Sequence, residues 1–138
     1  MQKANLVSIR EALPADRAFI LATWLRALYY GDTFFSMIPK DRFMKHYHKL
    51  VERFIDSPSA LVQVACLKDD PEVILGYSVC HSSADGIVLD WIYVKKPWRG
   101  IGIAKSLVVP GVVSVSHLTK VGVSLMPKLP KAVFDPFS

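Results

Sequence analysis

The sequence predicts an α/β chain whose strands are mainly antiparallel. Three observations carry this. Residues 87–94 are rich in β-branched and aromatic side chains, and they run into Pro97 and then Gly100 and Gly102, which reads as a strand, a turn and a helix start. Apolar residues recur at helical spacing over 14–30 and again over 39–55. Residues 61–67 and 73–81 also look like strands. Short polar turns separate them from each other and from 87–94, so the three form an antiparallel meander.

In chain order, residues 6–10 are a first, edge-type strand. Pro14 opens a helix with Asp16 in its first turn, and Phe19, Ile20, Trp24, Leu25 and Leu28 form its apolar stripe. Gly31 is placed to stop it. Residues 32–38 are an apolar, aromatic connector that either caps the core or lines a pocket. Pro39 opens the second helix, with Phe43, Met44, Tyr47, Leu50, Val51, Phe54 and Ile55 as its buried face. Lys40, Arg42, Lys45, His46, Lys49 and Arg53 lie mostly on the other side. Gly76 marks a bulge or a close approach in the second meander strand. After the glycine turn the reading is a kinked helix to about residue 118, interrupted at Pro110-Gly111, although the β-branched run 112–115 favours a strand. Residues 131–135 form a short closing strand.

At 138 residues and 51% apolar composition the chain fits one domain, residues 1–138, with a real core. No apolar run approaches the roughly 18 residues that cross a bilayer, and residues 1–5 lack an apolar signal core, so a cytoplasmic protein without membrane contact is expected. Cys66 and Cys80 make no disulfide framework and read as reduced thiols. His46 and His48 are too close in sequence to face one metal on a helix, and no metal-ligand spacing occurs, so no metal is expected. The net charge of +5 invites an anionic partner: a polyphosphate cofactor, nucleic acid or an acidic protein. No RNA-recognition or zinc-finger pattern is present, so nucleic acid is not the favoured one.

Arg99-Gly100-Ile101-Gly102-Ile103-Ala104 resembles the Arg/Gln-x-x-Gly-x-Gly/Ala signature of the GCN5-related N-acetyltransferases (GNAT), and residues 89–98 look like that family's fourth strand and its lead-in. The element order agrees through about residue 126. The resemblance implies a mixed, mainly antiparallel twisted sheet flanked by helices, in the order β-α-α-β-β-β-α-β. It implies acetyl-CoA (coenzyme A) as cofactor, with its pyrophosphate cradled by the N–H groups of Arg99, Gly100, Ile101, Gly102, Ile103 and Ala104. Its pantetheine arm would lie along backbone groups of Ile92 and Val94. Counted from Gly102, the family's fifth strand falls near 120–125. The family pattern continues with a further helix and two strands, whereas 13 residues follow Leu125 here. That leaves a minimal version, completion by a partner subunit (a homodimer through an unpaired sheet edge), or a binder without catalysis.

For chemistry, Asp90 is the first choice of general base: an acid in the middle of a central strand is unexpected unless it faces a cleft, and its position corresponds to an acidic residue of many family members. By strict alternation it shares a face with Ile92 and Val94. His81 is the alternative base, because imidazole titrates near neutrality. No general acid is named: Tyr93 has the wrong strand parity and Tyr77 lacks support. The first functional reading is direct transfer of an acetyl group from acetyl-CoA to a primary amine on a small molecule, protein or nucleobase. The second is a GNAT-like protein that binds acyl-CoA or a protein partner as a regulator. The third is a basic nucleic-acid-binding module.

Overall fold

Val7–Glu11 (β1) pairs with Ala60–Leu67 (β2), β2 with Ile74–Ser83 (β3), and β3 with Gly86–Val94 (β4), all antiparallel. Val112–Val115 (β5) then runs parallel to β4, and Val133–Phe134 (β6) parallel to β5, so six strands lie in sequence order in one mixed sheet. This is a computed structural model describing residues 3–31, 33–116 and 133–134.

The helices fall where the apolar spacing puts them. A 3-10 turn at Pro14–Asp16 leads into Arg17–Gly31 (α1), and Pro39 precedes Lys40–Asp56 (α3). Proline suits both starts, because its missing N–H is one the first helical turn leaves unpaired anyway. The Asp16 carboxylate accepts from the Leu13 amide at 2.7 Å and from both terminal nitrogens of Arg10 at 2.7 and 3.1 Å. This locks the end of β1 to the start of α1. Arg17 ties α1 to α3 by reaching Glu52 at 2.6 Å and Asp56 at 2.8 Å.

One core lies between the sheet and α1 and α3. Trp24, Ile20, Phe43, Val51, Val64, Tyr77, Val79 and Trp91 are all buried there, with Trp24 and Trp91 stacked at 5.2 Å. The other lies on the opposite face, where Ile103–Leu107 (α4) covers Cys80, Leu89, Ile92 and Val94. Ser78 donates to the Leu107 carbonyl at 2.7 Å, so a β3 hydroxyl fastens the end of α4. Full burial of each large apolar side chain contributes about 1.5–3 kcal/mol. Gly76 allows the close approach expected of it: a Cβ there would stand 2.5 Å from the Tyr93 carbonyl oxygen, and the ladder slips beside it.

Four expectations need correction. The connector after α1 contains a short helix, Thr33–Ser36 (α2). On α3 Phe43 and Val51 are buried and Met44, Tyr47, Phe54 and Ile55 pack partly buried against the same core, but Leu50, at the edge of that face, is exposed. The helix after the glycine turn ends at Leu107 rather than near 118. Val108 is extended, Pro110 cannot continue a helix, and Gly111 turns the chain at φ +94°. The β-branched run then forms β5, eight residues ahead of the position near 120–125 that the resemblance gave; residues 120–125 lie outside those described. No helix of the described residues is long and apolar enough to cross a membrane.

Candidate functional site

The turn after β4 is built by its glycines. Gly100 and Gly102 have φ of +83° and +90°, a region that costs an L side chain about 1–2 kcal/mol. No atom stands within 4 Å of where their Cβ atoms would be, so backbone conformation rather than crowding requires glycine. Among the described residues, the amides of Gly100, Ile101, Gly102, Ile103 and Ala104 donate to no protein group. The helix behind them has only five residues, so its dipole is small and the loop amides are the main anion donors. Arg99 Nε donates to the Val94 carbonyl at 2.8 Å, which ties the turn to the strand end. Lys95 lies over the Phe19 ring and Lys3 over Trp98. Lys96 and Lys105 have no ion-pair partner among the described residues.

β4 and β5 are paired only from Ile87 to Leu89, and the Ser116 amide gives the last bond, 3.0 Å to the Leu89 carbonyl. Among the described residues no β4–β5 pairing lies beyond this point. The Lys95 amide donates to Leu75 on β3, so by alternation Tyr93 also turns toward β3, while the backbone groups of Ile92 and Val94 turn to the opposite side, where the Val94 carbonyl accepts from Arg99.

The end of the described β4–β5 pairing coincides with a bulge in β4. Val79 is opposite Trp91, yet Cys80 is opposite Leu89, which makes Asp90 the extra residue. The bulge breaks the expected alternation: Leu89, Ile92 and Val94 share the α4 face, and Asp90 does not share it. Its carboxylate instead accepts from His81 Nδ1 at 2.6 Å and from Ser116 Oγ at 2.6 Å, and it is fully buried. The two residues offered as alternative bases thus form one pair. Asp90 has no access to a substrate, whereas the His81 ring is 20% exposed. In the Nδ1–H tautomer that donates to this carboxylate, Nε2 is the nitrogen able to accept. His81 lines a pocket of about 290 Å³ with Leu50, Arg53, Phe54, Ser57 and Ser59. A larger cleft of about 480 Å³, between α1, α3 and the ends of β1 and β2, holds none of the residues singled out for chemistry.

Burial, reinforced by the Asp90 carboxylate, pushes the Cys80 thiol up to about 12, so it stays protonated and is no nucleophile. Burial likewise raises the Tyr77 phenol, whose hydroxyl is held by Thr23 and the Ile20 carbonyl. Ser116 was not singled out from the sequence, because it lay within a segment read as helix. The described residues contain no group of three side chains fit to hold a metal.

No family model matches the chain, and neither does any curated protein. Solved structures do. A Pyrococcus furiosus protein, named only provisionally as an acetyl transferase, aligns over 94% of this chain and 81% of its own at 15% identity, with a TM-score of 0.62. The Thermoplasma acidophilum PaiA N-acetyltransferase, solved with coenzyme A, aligns over 73% of this chain and 66% of its own at 14% identity and a TM-score of 0.50. The chain spans 60% of the length of a GNAT-family acetyltransferase of Staphylococcus aureus. With its sequential sheet, parallel β4–β5 pair and glycine turn, this chain has the GCN5-related N-acetyltransferase fold.

Proposed function

We propose that this protein transfers an acetyl group from acetyl-CoA directly to a primary amine, with His81 as general base. The observation that carries the reading is the chain of contacts from Ser116 through Asp90 to His81, built on the β4 bulge. The residues present fit the cofactor: loop amides and two lysines without partners among the described residues suit a pyrophosphate, and the Ile92 and Val94 backbone, which no described strand pairs on that side, suits an extended amide-bearing arm. Bound there, acetyl-CoA would supply the acetyl group as a thioester, its sulfur leaving as a thiolate that takes a proton from solvent.

The chain's own part is then limited. His81 Nε2 takes the proton from the acceptor amine. Asp90 holds the ring in the Nδ1–H tautomer and offsets the positive charge as the imidazolium forms, the logic of an orienting carboxylate in other His-based sites. Ser116 occupies the second carboxylate oxygen and so fixes the plane of Asp90. No tyrosine is assigned as general acid, since Tyr77 is sealed in the core.

Two measurements test this. Acetyl-CoA should raise the melting temperature by mass action, and Arg99→Glu should reduce that shift. Release of free thiol should be seen with at least one amine in a varied panel. Stabilisation without thiol release from any amine replaces this reading with the regulator that binds acyl-CoA without turning it over.

A further inference from the structure

The exposed face of α3 carries Arg42, Lys45, His46, Lys49 and Arg53. At 3.6 residues per turn these five fall within an arc of about 100°, in a stripe about 16 Å long. Two of the three acids on the same helix are engaged elsewhere: Glu52 is held by Arg17 and His48, and Asp56 by Arg17. The third, Asp41, sits in the first turn, and the stripe's own basic residues have no ion-pair partner among the described residues. A basic helix face is by itself commonplace. This one ends on the candidate site, because Arg53 lines the same pocket as His81.

We propose that the acceptor is an acidic peptide, lying along α3 with its carboxylates on this stripe and its amine in the His81 pocket. The proposal rests on the acyltransfer reading above. The length matches: about 16 Å spans about five residues of extended chain, more than a small acidic molecule needs. The side-chain chemistry favours carboxylates over nucleobases. Single-stranded nucleic acid is bound by aromatic platforms set among cations, and no aromatic residue lies within this stripe: Phe43 is buried, and Tyr47 and Phe54 pack partly buried against the core on the other side of the helix.

The test uses the full chain and two fluorescent peptides, each with one free amine, flanked by four Asp and Glu residues in one and by Asn and Gln in the other. Anisotropy at low and high salt gives affinity, and thiol release gives KM and kcat. The acidic peptide should bind about tenfold more tightly, as expected for a few exposed ion pairs, and lose that advantage at high salt. The combined Arg42→Glu, Lys45→Glu, Lys49→Glu variant should bring the ratio of kcat/KM between the two peptides close to one. The Gln version of the same triple variant should do so without charge reversal, and circular dichroism checks that both are folded. Equal affinity for the two peptides, or a preference that survives in both variants, overturns the proposal. So does tighter binding of an oligonucleotide than of the acidic peptide, lost in the same variants. Acidic-peptide binding that the variants lose, with no thiol release from any amine, keeps the docking face and removes the acyltransfer reading beneath it.

Discussion

The turn at 99–104 and the cluster at His81, Asp90 and Ser116 make opposite use of the chain. The turn is local: six consecutive residues set its conformation, and its donors are backbone amides that most side-chain changes leave in place. The cluster is assembled from β3, β4 and the residue just past β5, and it exists only because one extra residue in β4 turns Asp90 off its expected face. A locally encoded site should tolerate distant mutations, whereas an assembled one depends on the register of three strands.

The largest expected effect breaks the cluster. His81→Ala should lower kcat about 10²–10⁴-fold, the usual worth of a positioned base. Asp90→Asn should fall in the same range, and the double variant should be little worse than either single one, because the two act as a unit. Rate constants with saturating acetyl-CoA and a reactive amine check this, and additive losses would count against the pair. Next comes the turn. Gly102→Ala should cost about 1–2 kcal/mol through its positive φ, read as a lower melting temperature, with weaker stabilisation by acetyl-CoA and a small effect on kcat. If it instead abolished kcat while leaving cofactor affinity intact, the division of labour between the two regions would be wrong.

A smaller effect belongs to the scaffold. Hydrogen bonds from Arg10 and the Leu13 amide hold the Asp16 carboxyl below the usual carboxylate range. Its stabilisation is complete above the unfolded-state value of about 3.9 and is lost as the pH falls through the lower folded value. Melting curves of the wild type and Asp16→Asn should therefore differ at pH 6 and converge in acid, with cofactor binding at pH 7 little changed. The smallest effect is a null one. Cys80, buried and protonated, should resist alkylation in the native protein and react once it is unfolded.

This contrast also explains what could be read from the sequence. The meander and both long helices rest on local periodicity and turn formers such as Pro39 and residues 82–86, and they stand where expected. The glycine turn was legible for the same reason. The end of α4 is not legible, because Pro110-Gly111 fits a kink as well as a stop, and only the positive φ at Gly111 makes it a turn into β5. Asp90 and His81 were both found, Asp90 as an acid out of place in an apolar strand and His81 as a titratable group. Their partnership was not legible, because it depends on a ladder slip between Val79 and Cys80 that no single strand encodes. Ser116 carried no signal of its own.

The Trp24–Trp91 stack gives this fold an optical handle. Its rings are 5.2 Å apart and 11° from parallel, close enough for their electronic transitions to couple. Trp91 also follows Asp90 directly in the chain, so a change in the bulge would tilt one ring of the pair. Circular dichroism in the tryptophan bands would then report on β4 in the native protein without any label, and could follow cofactor or peptide binding in the same cuvette.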